Sequence, residues 1–334
     1  MAALIGADPR EIVFTSGATE ANNLAIKGAA WASKPPGGHL VTAVAEHKSV
    51  LDPMMRLARD GWSVTILPVD RHGQVDPEAV AAALTDRTIL VSIMAANNEV
   101  GTLNPIAEMA RHCRARGVLF HTDATQAAGK VSLNVERNAI DLLSLTGHKF
   151  HGPKGIGILY VRRRGSRVRL VPLLDGGGHE RGFRSGTLPV PLIVGLGVAA
   201  EIAAREGEEE SRRVAALRDR LHTLLSKYTM GMTRNGHPSE ALPNNLNVSF
   251  EGVEGEALLM NIRDVAVSSG SACSSAQPET SHVLQAMSVP EHLARASLRF
   301  GLGRFTTLEE IEFAARYVAD VILKLRAGAG AGPP

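Results

Sequence analysis

Aromatic residues are scarce, at 4% of 334 positions. A stacking platform for single-stranded nucleic acid needs many of them, so that class is excluded. Neither charge dominates: 36 Lys and Arg against 34 Asp and Glu leave a formal +2, without the basic footprint of a direct nucleic-acid binder. Cysteine is nearly absent. Cys113 and Cys273 are the only two, and they form no CxxC pair. Zinc ribbons, dithiol redox motifs and disulfide frameworks are therefore excluded, and a reducing, cytoplasmic setting fits (the mitochondrial matrix if the source is eukaryotic). Long apolar runs are missing too. The most apolar window, Pro189 to Ala204, is too short and too Gly-rich to span a bilayer, so no membrane association is expected. The start MAALIGADPR lacks the basic and apolar regions of a secretory signal.

What is present is an alternation of short apolar runs and helical patterns. The runs fall at Glu11–Thr15, Leu40–Ala45, Ser63–Val69, Ile89–Ala95, Val118–Asp123, Asp141–Leu145 and Gly157–Val161. Helical patterns at Thr19–Trp31, Val50–Arg59, Pro77–Leu84 and Ile106–Arg116 lie between several of them. In the first helix Ala21, Leu24, Ala25 and Gly28 share one face. The spacing predicts an α/β fold with a mainly parallel sheet covered on both faces. Ligands in such sheets sit at the carboxyl ends of the strands. A long helix over Leu192–Tyr228 then leads to a smaller α/β segment. The expected division is a large domain over 1–205, a small C-terminal domain over 206–326, and a disordered tail over 327–334 (AGAGAGPP).

Chemistry-bearing residues cluster just after the strands. Phe14-Thr-Ser-Gly-Ala-Thr-Glu-Ala-Asn-Asn23 ends a strand, turns on small residues and opens a helix, a pattern that suits a phosphate and equally a plain capped turn. Asp123, in His121-Thr-Asp-Ala-Thr-Gln126, ends another strand. A buried carboxylate there needs a cationic partner or hydrogen bonds, which a protonated pyridine nitrogen would supply; an N-cap role is the alternative. Among only eight lysines, Lys149 alone follows an inner strand, in Thr146-Gly-His-Lys149, where an amine can form a Schiff base with a carbonyl cofactor. With Asp123 and the phosphate-type turn upstream, this points to pyridoxal phosphate. His47 follows the second strand and could stack on a cofactor ring or move protons. Asn98 follows another. Cys273 stands in the Gly/Ser-rich stretch Ser268-Ser-Gly-Ser-Ala-Cys-Ser-Ser275, a setting for a travelling nucleophile. Cys113, inside a helix, reads as structural. Arg299 could pair a carboxylate bidentately.

The stretches FTSGATEANNLAIKG, HTDATQAAGK, GHKFHGPKGIG, GGGHERGFRSGT, SSGSACSSA and LRFGLGRFTTLEE, in this order, closely resemble those of the cysteine desulfurases. These are NifS/IscS-like, class V aminotransferase enzymes of pyridoxal-phosphate fold type I. The resemblance implies that Lys149 carries the cofactor. Ala18, Thr19, Thr146 and His148 would hold its phosphate, and Thr187 would reach the phosphate of a neighbouring subunit in a homodimer. Asp123 would pair with the pyridine nitrogen, Gln126 and Asn98 with the ring-hydroxyl side, and His47 would stack on the ring. Arg299, with Asn98, would bind the substrate carboxylate. Cys273 would attack the sulfur of L-cysteine, releasing alanine and keeping a persulfide for an iron–sulfur scaffold or another sulfur acceptor. The same cysteine would also ligate a [2Fe–2S] cluster shared with the scaffold. Selenocysteine lyase shares every motif. The family's N-terminal segment, with its Ala-Thr-Thr-Pro stretch, has no counterpart here, which leaves a truncated, non-catalytic cofactor-binding paralogue as a further reading.

Overall fold

The computed structural model describes residues 1–33, 37–165, 168–269 and 280–329. The chain divides into two units. The first comprises residues 1–69, 75–97 and 104–208; the second comprises residues 70–74, 98–103 and 209–334.

The first unit opens with α1 (Ala2–Ile5) and β1 (Ile12–Thr15). Then α2 (Ala18–Ala32), β2 (His39–Ala43), α3 (Lys48–Arg59), β3 (Ser63–Leu67), α4 (Pro77–Ala83), β4 (Thr88–Ser92) and α5 (Ile106–Ala115) alternate. β5 (Leu119–Asp123), β6 (Leu142–Thr146) and β7 (Gly157–Val161) follow. The seven strands form one sheet in the order β1-β7-β6-β5-β4-β2-β3. From β6 to β3 every pairing is parallel. β7 runs against both neighbours, so the alternation read from the sequence holds for the inner strands and gives way where the Lys149 loop turns the chain straight back. β2, β6 and β7 are buried at every position, as expected of strands covered on both faces. α2 forms because it is Ala-rich and puts Ala21, Leu24, Ala25 and Gly28 against the sheet, all buried. Each fully buried Leu or Ile in such a layer contributes about 1.5–3 kcal/mol. Cys113 is fully buried in α5, and burial pushes its thiol up to about 12.

α6 (Val190–Tyr228) ends in the second unit. There β8 (Met232–Asn235), β9 (Asn245–Phe250), α7 (Gly255–Asn261), α8 (His282–Ala286), α9 (Glu291–Arg295), β10 (Ser297–Gly301) and α10 (Leu308–Ala329) follow. The strands form an antiparallel sheet, β10-β9-β8. Leu246, Val248 and Phe250 alternate along β9 into a core shared with Leu221, Leu225, Ile311 and Ile322. The opposite face is polar: Asn235 Nδ2 donates to Asn247 Oδ1 and Ser249 Oγ, both at 2.8 Å. Residues 327–329, expected in the tail, are the last residues of α10; the Ala-rich sequence continues the helix because Ala has the highest helix propensity. Residues 330–334 lie outside the described residues.

Candidate active site

The carboxyl edge of the first unit's sheet gathers most of the residues singled out above. β1 ends at Thr15, and α2 begins at Ala18. Its N-cap is Gly17, which offers no side chain to the first N–H groups of the helix, leaving them for an external anion. A Cβ on Gly17 would lie 3.6 Å from Thr146 Oγ1, so the missing side chain leaves open a cradle between the helix start and Thr146. Thr146 Oγ1 donates to Ile156 O at 3.1 Å and bonds His148 Nδ1 at 3.1 Å. Burial, with help from Lys149 and Lys154, lowers the pKa of His148 below the usual histidine value.

Lys149 closes the short 3-10 turn Gly147–Lys149 after β6. Gly147 N donates to Ile156 O at 3.0 Å and Gly152 N to Gly147 O at 2.9 Å, so the loop is tied to itself on both sides of the lysine. Among the described residues Lys149 Nζ has no hydrogen-bond or ion-pair partner. That leaves the amine available to a carbonyl.

Asp123 is the last residue of β5 and is buried. Its Oδ1 accepts from Thr125 N at 2.9 Å, and its Oδ2 from Asn22 Nδ2 at 2.7 Å. Among the described residues no lysine or arginine pairs with it. Two positions earlier, on the same face of β5, His121 lies between Ser92 Oγ (2.7 Å) and Ser144 Oγ (3.0 Å). Burial pushes His121 down to about 4 against the pull of Asp123, so it is neutral at pH 7 and leaves the carboxylate's charge uncompensated. His47 is the N-cap of α3, where its Nδ1 accepts from Ser49 N at 3.1 Å. Gln126 follows three residues after Asp123; its carbonyl accepts from Lys130 Nζ at 3.0 Å.

Thr187 is exposed at the end of a segment tied to the phosphate-type turn. Glu20 Oε1 accepts from Arg184 Nε at 2.8 Å and Glu20 Oε2 from Ser16 N at 2.7 Å. Burial works against the Glu20 charge, but the bonds from Arg184 and Ser16 prevail and hold its carboxyl below the usual value. In the second unit, Arg299 Nη1 donates to Asn98 O at 2.8 Å and Arg299 Nε to Ser268 Oγ at 3.0 Å. Those bonds hold the guanidinium at a fixed place beside Asn98. Cys273 lies outside the described residues.

Several contributors escaped the sequence reading. Glu20, Arg184, Asn22, Ser49 and Glu46 each act across elements far apart in the chain. Asn22 alone left a local trace, a polar residue inside the apolar stripe of α2.

The cradle, the unpaired amine and the buried carboxylate fit pyridoxal phosphate. The three groups match its phosphate, its aldehyde and its pyridine nitrogen. Residues 1–313 match the family described as Aminotransferase class-V. A relative called cysteine desulfurase IscS, from Anaeromyxobacter sp. (strain Fw109-5), is 57% identical over 98% of this chain and 80% of its own length. A protein of the same name from Rickettsia peacockii (strain Rustic) is 50% identical over the same shares. Among solved structures, a NifS-like protein superposes with a TM-score of 0.89 at 37% identity, over 97% of this chain and 86% of that one. SspA in complex with cysteine gives 0.81 at 40% identity, over 92% and 85%.

Proposed function

The chain belongs to the aminotransferase class-V family, and from that premise we infer that it is a pyridoxal-phosphate-dependent cysteine desulfurase. The observation that carries the residue assignment is the joint placement, on one sheet edge, of an unpaired Lys149 amine and a buried Asp123 with no cationic partner among the described residues. When bound, pyridoxal phosphate draws electrons from the substrate's Cα–H bond and stabilises the resulting charge.

The chain's own groups do the rest. The open N-terminus of α2 at Ala18 and Thr19, with Thr146 and His148, binds the phosphate. Asp123 would pair with the pyridine nitrogen. Gln126 and Asn98 bond the ring-hydroxyl side, and the His47 ring stacks on the cofactor face and shuttles protons. Arg299, held by Asn98 O and Ser268 Oγ, grips the substrate carboxylate bidentately. Lys149 removes the Cα proton and returns a proton to the product. The Cys273 thiolate attacks the sulfur of L-cysteine, so an S–S bond forms as the C–S bond breaks. Alanine leaves, and Cys273 retains a persulfide. Thr187, exposed and tethered through Arg184 to Glu20, reaches the phosphate of a second subunit in a homodimer. The outer sulfur of the persulfide passes to a sulfur acceptor, an iron–sulfur scaffold among them, and Cys273 would ligate a [2Fe–2S] cluster shared with that scaffold. The setting is the cytoplasm; no helix of the described residues is long and apolar enough to cross a membrane.

The test is the purified protein loaded with pyridoxal phosphate and given L-cysteine. One alanine per persulfide is expected, with the visible absorbance of the lysine-bound cofactor lost in Lys149→Ala and the persulfide lost in Cys273→Ala. Alanine formation without persulfide on Cys273 would remove the nucleophile assignment. Bound cofactor in Lys149→Ala with unchanged absorbance would move the attachment to another lysine.

A further inference from the structure

Behind the proposed ring site, four side chains from α2, β5 and the start of α3 form one continuous hydrogen-bonded chain. Ser49 Oγ contacts His47 Nδ1 at 2.8 Å. Asn22 Nδ2 donates to Ser49 Oγ at 2.8 Å and to Asp123 Oδ2 at 2.7 Å. Asn22 is fully buried, and Ser49 nearly so.

The directions of these bonds follow from counting hydrogens. The Ser49 backbone N–H donates to His47 Nδ1, so that nitrogen is an acceptor and the neutral ring carries its hydrogen on Nε2. The Ser49 hydroxyl must then donate to Nδ1, which leaves its lone pairs to accept from Asn22. Both hydrogens of the Asn22 amide are thereby used, one on Ser49 and one on the carboxylate. Its Oδ1, by contrast, is buried without a partner. A buried unpaired acceptor loses its hydration with nothing gained in return. A residue serving packing alone would do better without the amide, so the two donors are the reason for asparagine here.

We propose that Asn22 and Ser49 form a strut that positions Asp123 and fixes the tautomer of His47, so that the two groups assigned to the cofactor's pyridine nitrogen and ring face are set by one shared network. Asn22 is a positioning residue, acting through Asp123. Ser49 is another, acting through His47. The proposal rests on the reading of Asp123 as the partner of the pyridine nitrogen.

The experiment compares the holoprotein with Asn22→Ala, Ser49→Ala, Ser49→Thr, the Asn22→Ala/Ser49→Ala double variant and Asp123→Asn. It reads the dissociation constant of pyridoxal phosphate, the position of its visible band and thermal stability. A hydrogen bond to a charged acceptor predicts that Asn22→Ala weakens cofactor binding about tenfold or more and displaces the band. Ser49→Ala should give a smaller change in the same direction, and Ser49→Thr, which keeps the hydroxyl, should restore the wild-type values. Links of one network are not additive, so the double variant should be little worse than Asn22→Ala. Should Asp123→Asn alter affinity and band while Asn22→Ala and Ser49→Ala leave both unchanged, the strut is wrong and the Asp123 reading survives. Simple additivity of the two single effects would also overturn it. An unaffected Asp123→Asn would overturn both. If Asn22→Ala fails to fold, the Ser49→Ala and Ser49→Thr pair decides: without a loss rescued by threonine, the proposal falls.

Discussion

Glu46 precedes His47 and is almost wholly buried. Its Oε1 accepts from Met94 N at 2.6 Å. Burial pushes its pKa well above the usual carboxylate value, and the charge of Asp123 adds to this. A carboxyl whose folded pKa is raised keeps its proton after the unfolded chain has lost it, so it lowers stability as pH rises from the usual glutamate range towards the folded value. His121 acts on the opposite limb. Its folded pKa of about 4 lies below the usual 6.5, so the unfolded chain takes up a proton first and stability falls as pH drops from 6.5 towards 4. The two effects oppose each other between the usual glutamate and histidine values, so stability should be nearly flat there and fall on either side. Glu46→Gln keeps an acceptor for Met94 N and removes the ionisation. The melting temperature of Glu46→Gln relative to the wild type should rise as pH is raised from 5 through the range in which the unfolded glutamate ionises. Parallel melting curves across that range would mean Glu46 is ionised in the folded protein. None of this was legible in the sequence, where Glu46 reads as one more charged residue beside a strand. Its partner Met94 lies just after β4, almost fifty positions away.

At the scale of elements, the site depends on how closely backbones approach. β7 passes the phosphate-type turn at Gly157, where a Cβ would meet Leu145 O at 2.5 Å and Gly17 Cα at 2.7 Å. Neither neighbour is a flexible side-chain end, so Gly157→Ala must move the turn or the strand. We expect the variant to fold with reduced stability and to bind pyridoxal phosphate markedly more weakly. Gly117→Ala supplies the contrast. Its φ of +68° is strained for alanine, but nothing lies within 4 Å, so only about 1 kcal/mol of stability should be lost, with cofactor binding intact. Equal cofactor affinity in the two variants would show that the cradle does not depend on this approach. The strands themselves were legible, because each is an apolar run of the right length flanked by turn residues. The reversed direction of β7 was not. Strand direction is decided by the length and path of the Lys149 loop, and hydrophobic pattern carries no sign of it.

Across the whole molecule, the residues singled out from the sequence stand at strand ends, while those that hold them in place were not read from it. Asp123, Lys149 and His47 stand at strand ends, a position that a pattern of alternating elements predicts for any ligand site. Asn22, Ser49, Glu20 and Arg184 gain their meaning only once α2, α3, β5 and the segment before α6 are brought together. Arg299 was read as a carboxylate clamp, and its anchoring to Asn98 O and Ser268 Oγ depends on pairings in the second unit that no local spacing announces.

The sealed position of Cys113 in α5 has a practical consequence. Its thiol is kept protonated far above neutrality and away from solvent, so the native chain behaves towards an alkylating label as a single-thiol protein. A maleimide or disulfide reagent should take up one equivalent per chain in the native state and two after denaturation, and native Cys273→Ala should take up none. Two equivalents in the native wild type would show Cys113 to be accessible. With one, the labelling stoichiometry reads the state of Cys273 alone, with no background from Cys113 to subtract.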